Sequence, residues 1–241
     1  MKRLFAVLAI FLAFGAVLRA DIYIKSNVHT DPVSMMGQNQ PARDNIMEVW
    51  LGNDMIATIT SASIVLLDLK NSKMDMIMPA SKTYVETALP LDFSKLLPPQ
   101  VAQMMSSMKS SVTITPNGQT KQIGQWKCKG YDATLSMMMM TGKQILWATT
   151  DVPFDPKFYM EKAYGTLLKT QMFDETAVKE YMKVEGFVVA SEMTMEAMGS
   201  TIHTTTQVTE IAKRTPPAGV YTVPAGFQKT DTLSMQDIQR R

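Results

Sequence analysis

The sequence predicts an α+β fold, and three observations predict it. Short runs with apolar and polar residues in alternation, the period of a strand, recur through residues 22–90 and again through 111–149 and 187–211. The links within each series are too short for crossover helices, so neighbouring strands are expected to run antiparallel. Two stretches, about 91–108 and 155–184, switch to three- and four-residue apolar spacing, the period of a helix.

Taken in order, Ile22 to Val28 reads as the first strand, and the polar stretch 31–45, with Pro32, Gly37 and Pro41, as a loop. Met47 to Leu51 and Met55 to Thr60 flank Gly52-Asn53-Asp54, a hairpin signal. Ile64 to Leu69 and Met74 to Met78 flank Lys70 to Lys73 as a second hairpin, and Ser81 to Thr87 adds a strand. Leu96, Leu97, Val101, Met104, Met105 and Met108 then recur at helical spacing, kinked at Pro98-Pro99. Strands resume at Ser111 to Thr115, turn at Pro116-Asn117-Gly118, and continue to Gly124. Trp126 to Leu135 and Met138 to Thr149 form another hairpin around Thr141-Gly142. Asp155-Pro156 opens the larger helical segment as a cap followed by a first-turn proline. Phe187 to Met195 and Ile202 to Ile211 form a long hairpin, residues 214–227 an extended segment, and about 230–241 a polar tail.

Residues 1–20 read as an address. Lys2 and Arg3 precede an uncharged apolar run, Leu4 to Leu18, followed by Arg19, Ala20 and Asp21. These are the parts of a secretory signal peptide, and the run falls short of the roughly twenty residues that span a bilayer. Cleavage after Ala20 is expected, leaving 21–241 as one domain in the periplasm or outside the cell. No later run is long and apolar enough to span a membrane, so the mature chain is expected to be non-spanning. The full chain carries 24 basic and 22 acidic residues; without the leader 21 basic residues face 22 acidic ones, which gives no basis for nucleic-acid binding.

The 241 residues include 22 Met, 2 His and 1 Cys. A single cysteine excludes a disulfide framework within the chain, and two histidines exclude a His-rich metal site. Met74, Met76 and Met78 share one strand face because side chains alternate, and Met193 and Met195 continue a face begun by Phe187 and Val189. Methionine is flexible and polarisable, and three readings fit such a face: an ordinary core, the wall of a cavity for an acyl chain or another lipophile, or a soft copper(I) site. The cavity reading names Met74, Met76, Met78, Trp147, Phe187, Val189, Met193 and Met195 as its wall, with 91–108 and 155–184 as its cover. No nucleophile elbow, zinc-protease helix or phosphate-cradling loop is present. Cys128, between Lys127 and Lys129, with His29 or His203 is the only nucleophile-and-base combination to weigh, and a thiol without a role is preferred. No enzyme activity or cofactor is expected; beside a lipophile-binding protein, the alternatives are a methionine-rich copper(I)-binding protein and a structural module that interacts with the envelope.

Four phrases in order resemble the domain of unknown function 4412 family of exported bacterial proteins, which is similar to the LolA/LppX-type periplasmic lipoprotein carriers. They are Ser63 to Glu86 (SIVLLDLKNSKMDMIMPASKTYVE), Gly124 to Leu135 (GQWKCKGYDATL), the Trp147 strand leading into the helical segment, and Gly219 to Lys229 (GVYTVPAGFQK). Met55-Ile56 departs from the family, which commonly has a basic residue there. The resemblance implies a curved antiparallel half-barrel with helices on its concave face, and a lipid, acyl chain or lipoprotein as partner.

Overall fold

Strand pairing begins at the residue that follows the expected leader. In the computed structural model, which describes residues 20–35, 38–92, 97–100, 103, 110–137, 140–161, 165–170, 175–197 and 199–234, β1 (Asp21–Thr30) lies in the middle of the sheet. It pairs antiparallel with β4 (Arg43–Leu51) on one side and β13 (Ser200–Arg214) on the other. From β4 the chain winds outward through β5 (Met55–Ile59), β6 (Ile64–Asp68), β7 (Lys73–Met78) and β8 (Thr83–Ala88). The other half is built from β9 (Ser110–Ile123), β10 (Trp126–Met137), β11 (Met140–Thr149) and β12 (Phe187–Ala197), which joins β13. A two-residue strand, β14 (Gln228–Lys229), adds to the β8 edge in parallel, so twelve strands run from β14 to β9 and the sheet is not closed. A separate hairpin joins β2 (Val33–Met35) and β3 (Gln38–Gln40), where the sequence reads as a loop.

The expected α+β class, with helices on the concave face of a half-barrel, is overturned: the chain is mostly β. Within 155–184 the described helices are α1 (Pro156–Tyr159), α2 (Gly165–Thr170) and α3 (Glu175–Tyr181), none longer than seven residues. Of 91–108 the positions 99, 100 and 103 are helical, while the rest of its apolar stripe lies outside the described residues. The leader (1–19), Met138 and Met139, and the tail beyond 234 also lie outside them. Asp155 does cap α1, its carboxylate accepting from the Lys157 N–H at 2.9 Å. Gly186, at φ +106°, turns the chain straight into β12, so close to the Thr149 carbonyl that a Cβ would lie 2.4 Å from it.

The turn expected at Pro116-Asn117-Gly118 is a bulge within the fourteen-residue β9. Gly118 takes a positive φ of 73°, and the Asn117 carboxamide accepts from Gln119 N–H at 3.0 Å and donates to Asp132 at 2.9 Å. Side-chain bonds thus replace the ladder bonds the bulge interrupts. Thr141-Gly142, expected as a turn, lies inside β11, and 214–227 forms turns rather than an extended strand.

One face of the sheet packs Ile24, Val49, Ile56, Leu67, Met74, Met76, Ile114, Leu146 and Val189 against Tyr159, Met160, Leu168 and Tyr181. A smaller core on the other face gathers Tyr23, Trp50, Ala57, Leu66 and Ile77 beneath Val220, Tyr221, Val223 and Phe227.

Candidate functional site

Two apolar hollows lie where the sheet meets the helical pieces. One, about 160 Å³, is bounded by Ile24, Met47, Val49, Leu146, Met160, Phe187 and Val189, with Ser26, Gln144, Ser191 and Thr206 as polar members. The other, about 170 Å³, lies beside the start of β1 between Ile22, Leu51, Ile56, Leu69 and Phe154. Tyr159 lines both. Its ring stands edge-on to Phe154 and Phe187 at centroid distances of 5.7 and 5.2 Å, and burial pushes its phenol pKa above the usual value. Tyr181 on α3 fixes a lining residue of the first hollow: its hydroxyl donates to the Gln144 side chain at 3.2 Å, and burial raises its pKa to about 12. Both phenols are therefore neutral at any physiological pH, and the surroundings suit uncharged groups.

The expected wall residues divide into four groups. Phe187 and Val189 line the first hollow. Met193 and Met195 lie on the same strand face but beyond the hollow; both are half-buried, and Met193 is the register partner of Gln144. Met74, Met76 and Met78 do share a face, as alternation requires, but are packed into the core with 0%, 4% and 3% exposure and border neither hollow. Trp147 follows Leu146 along β11, and alternation directs it to the opposite face. Gln144 and Tyr159 carry no sequence signal of their own: a polar residue within a strand and one aromatic in a helical stretch do not mark a hollow, whereas Tyr181 falls in the helical apolar spacing.

Cys128 is fully buried, its thiol 3.6 Å from the Trp126 carbonyl, and burial raises its pKa, opposite to the activation two flanking lysines suggest. Lys129 points away to Glu185 at 2.8 Å. His203 pairs with Thr194 and His29 with Asp44, so neither is bonded to the thiol. Among the described residues no three His, Cys, Asp or Glu side chains gather as a metal site, and no helix is long and apolar enough to cross a membrane.

A family model described as a domain of unknown function, DUF4412, matches residues 33–227. The chain belongs to that family. The DUF4412 match takes in β4 to β13 and the three helical pieces, and so most of the walls of both hollows, while β1 precedes it. No similar protein is found among curated ones.

Proposed function

We propose that this is an exported binding protein that takes up an apolar ligand between the sheet and α1, without chemical conversion. The paired hollows on either side of Tyr159 carry the reading. Each alone is about the size of a cavity that admits a benzene-sized guest. Joined, they reach the lower end of the roughly 300–1,000 Å³ usual for small-molecule sites. The Tyr159 ring thus sets the length of apolar chain that fits, and Met193 and Met195 extend the apolar face toward solvent. Export is supported by the leader pattern and by β1 opening at Asp21, the residue after the expected cut. The driving force is burial of ligand surface, about 25 cal/mol per Å².

The test is a displacement titration of the purified mature chain with a fluorescent fatty acid and a series of straight-chain carboxylic acids, alongside native mass spectrometry for co-purified lipid. Saturable binding with a preference for short chains is expected. Tyr159→Ala, which joins the hollows, is expected to shift that preference to longer chains. The reading is overturned if no lipophile binds saturably, or if Tyr159→Ala folds and leaves the chain-length preference unchanged.

A further inference from the structure

The opposite face of the same strands carries a groove of different chemistry. The register aligns Asp44, His29, Thr205 and Glu192 in one row, and Asn27, Gln207, Ala190 and Trp147 in the next. Directly opposed residues of antiparallel strands project to one side, so both rows face outward together. Ala190 is the small member. The dip above it, walled by residues 121–124 at the end of β9, is a groove of about 600 Å³.

Trp147 is 6% exposed, and its indole N–H is buried with no hydrogen-bond partner. Buried indole N–H groups normally have one, and an orphan calls for a physical reason. The Lys121 ammonium lies 5.2 Å from the indole ring and 3.6 Å from the Glu192 carboxylate. Both partners of that ion pair are half-exposed, so it is weak and easily displaced.

We propose that this groove binds a neutral polyhydroxylated ligand of the mono- or disaccharide class, with Lys121 moving aside so that the Trp147 N–H donates to a ligand oxygen. The donor set favours that class. Asn27, Gln122 and Gln207 each offer a donor and an acceptor, Thr205 offers both in one hydroxyl, Glu192 and Asp44 accept, and Lys121 donates. Ligand hydroxyls, which also do both, match such a mixture, whereas the Glu192 and Asp44 carboxylates, already paired with Lys121 and His29, leave no surplus positive charge for a strongly anionic ligand. The site is independent of the apolar hollows.

Tryptophan fluorescence and saturation-transfer NMR on the mature chain test it, with glucose, N-acetylglucosamine, maltose and cellobiose as ligands and glutamate as a charged control. At least one saccharide is expected to saturate below about 10 mM, with glutamate inert. Trp147→Phe is expected to weaken binding about fivefold, the effect of one hydrogen bond. Gln207→Ala, at the exposed register partner of Ala190, is expected to weaken it with the thermal midpoint unchanged. The proposal falls if no saccharide saturates by that concentration, if glutamate binds as well, or if folded Gln207→Ala binds as tightly as the parent.

Discussion

The meander half, β4 to β8, and the long-strand half, β9 to β13, use the same pairing rule with different results. Meander strands are five to nine residues long, and β5 to β7 are covered on both faces. In β7 Met74, Met76 and Met78 are buried on one side and Asp75 and Ile77 on the other. The second cover comes from the chain's end: Tyr221 donates to the buried Asp21 carboxylate at 2.6 Å, and Lys229 joins Lys73 on Glu86, each at 2.9 Å. Strands of the other half run ten to fifteen residues and extend past their cover, so that β12 is half-buried from Ala190 to Met195. One face there contributes Leu146, Phe187 and Val189 to the first hollow, and the other contributes Trp147, Ala190 and Glu192 to the polar groove, while the second hollow lies against β1, β4 and β5. Two-sided cover buries β5 to β7, while incomplete cover leaves the long strands partly open. A methionine's role therefore follows from which half holds it.

The sharpest way to break this comparison is to truncate one methionine in each half. Met74→Ala removes a fully buried side chain from the core and is expected to cost about 2–5 kcal/mol of stability. Met193→Ala, at a half-buried position, is expected to cost about 1 kcal/mol or less. Chemical denaturation of both variants checks this, and equal losses would remove the distinction between the halves.

A smaller effect is expected at the β9 bulge. A Cβ on Gly130 would lie 2.4 Å from the Asn117 side-chain oxygen, which is held by Gln119 while the amide nitrogen holds Asp132. Gly130→Ala must displace that carboxamide and is expected to cost about 1–3 kcal/mol. Asn117→Ala removes the obstacle, so the double variant is expected to be more stable than the two single losses predict. Strict additivity would show that Gly130 serves some purpose other than room for Asn117.

The bulge also shows what could be read in the sequence. Pro116-Asn117-Gly118 correctly marks a break in β9, but turn residues satisfy backbone groups equally well in a reversal or a bulge. Only the partner strand decides, through Gly130. The alternation of Met74, Met76 and Met78 was legible because the strand period fixes the face. Whether that face met solvent, a ligand or packed core was not, because it depends on residues far away in sequence, such as Leu146, Tyr159, Leu168 and Val189, that share its core. The helical period of 155–184 was legible too: three helices are described within it. Trp147, expected on the cavity wall, adjoins Leu146, which lines the hollow, and itself lines the polar groove.

The smallest effect concerns charge where β1 meets β4. His29 donates through Nδ1 to the Asp44 carboxylate at 2.7 Å and lies 3.2 Å from Asp31, and the bond to Asp44 holds its pKa above the ordinary 6.5. A raised folded pKa means that the protonated ring is favoured in the folded chain. The stabilisation is complete below the ordinary value and is lost as pH rises through the folded one. NMR titration of the imidazole is expected to give a midpoint above 6.5, and Asp44→Asn to bring it down toward that value. Because the pair is solvated, the thermal midpoint of Asp44→Asn is expected to stay where it was. A clear fall would mean that the seam between β1 and the first meander strand is held by its charges rather than by burial alone.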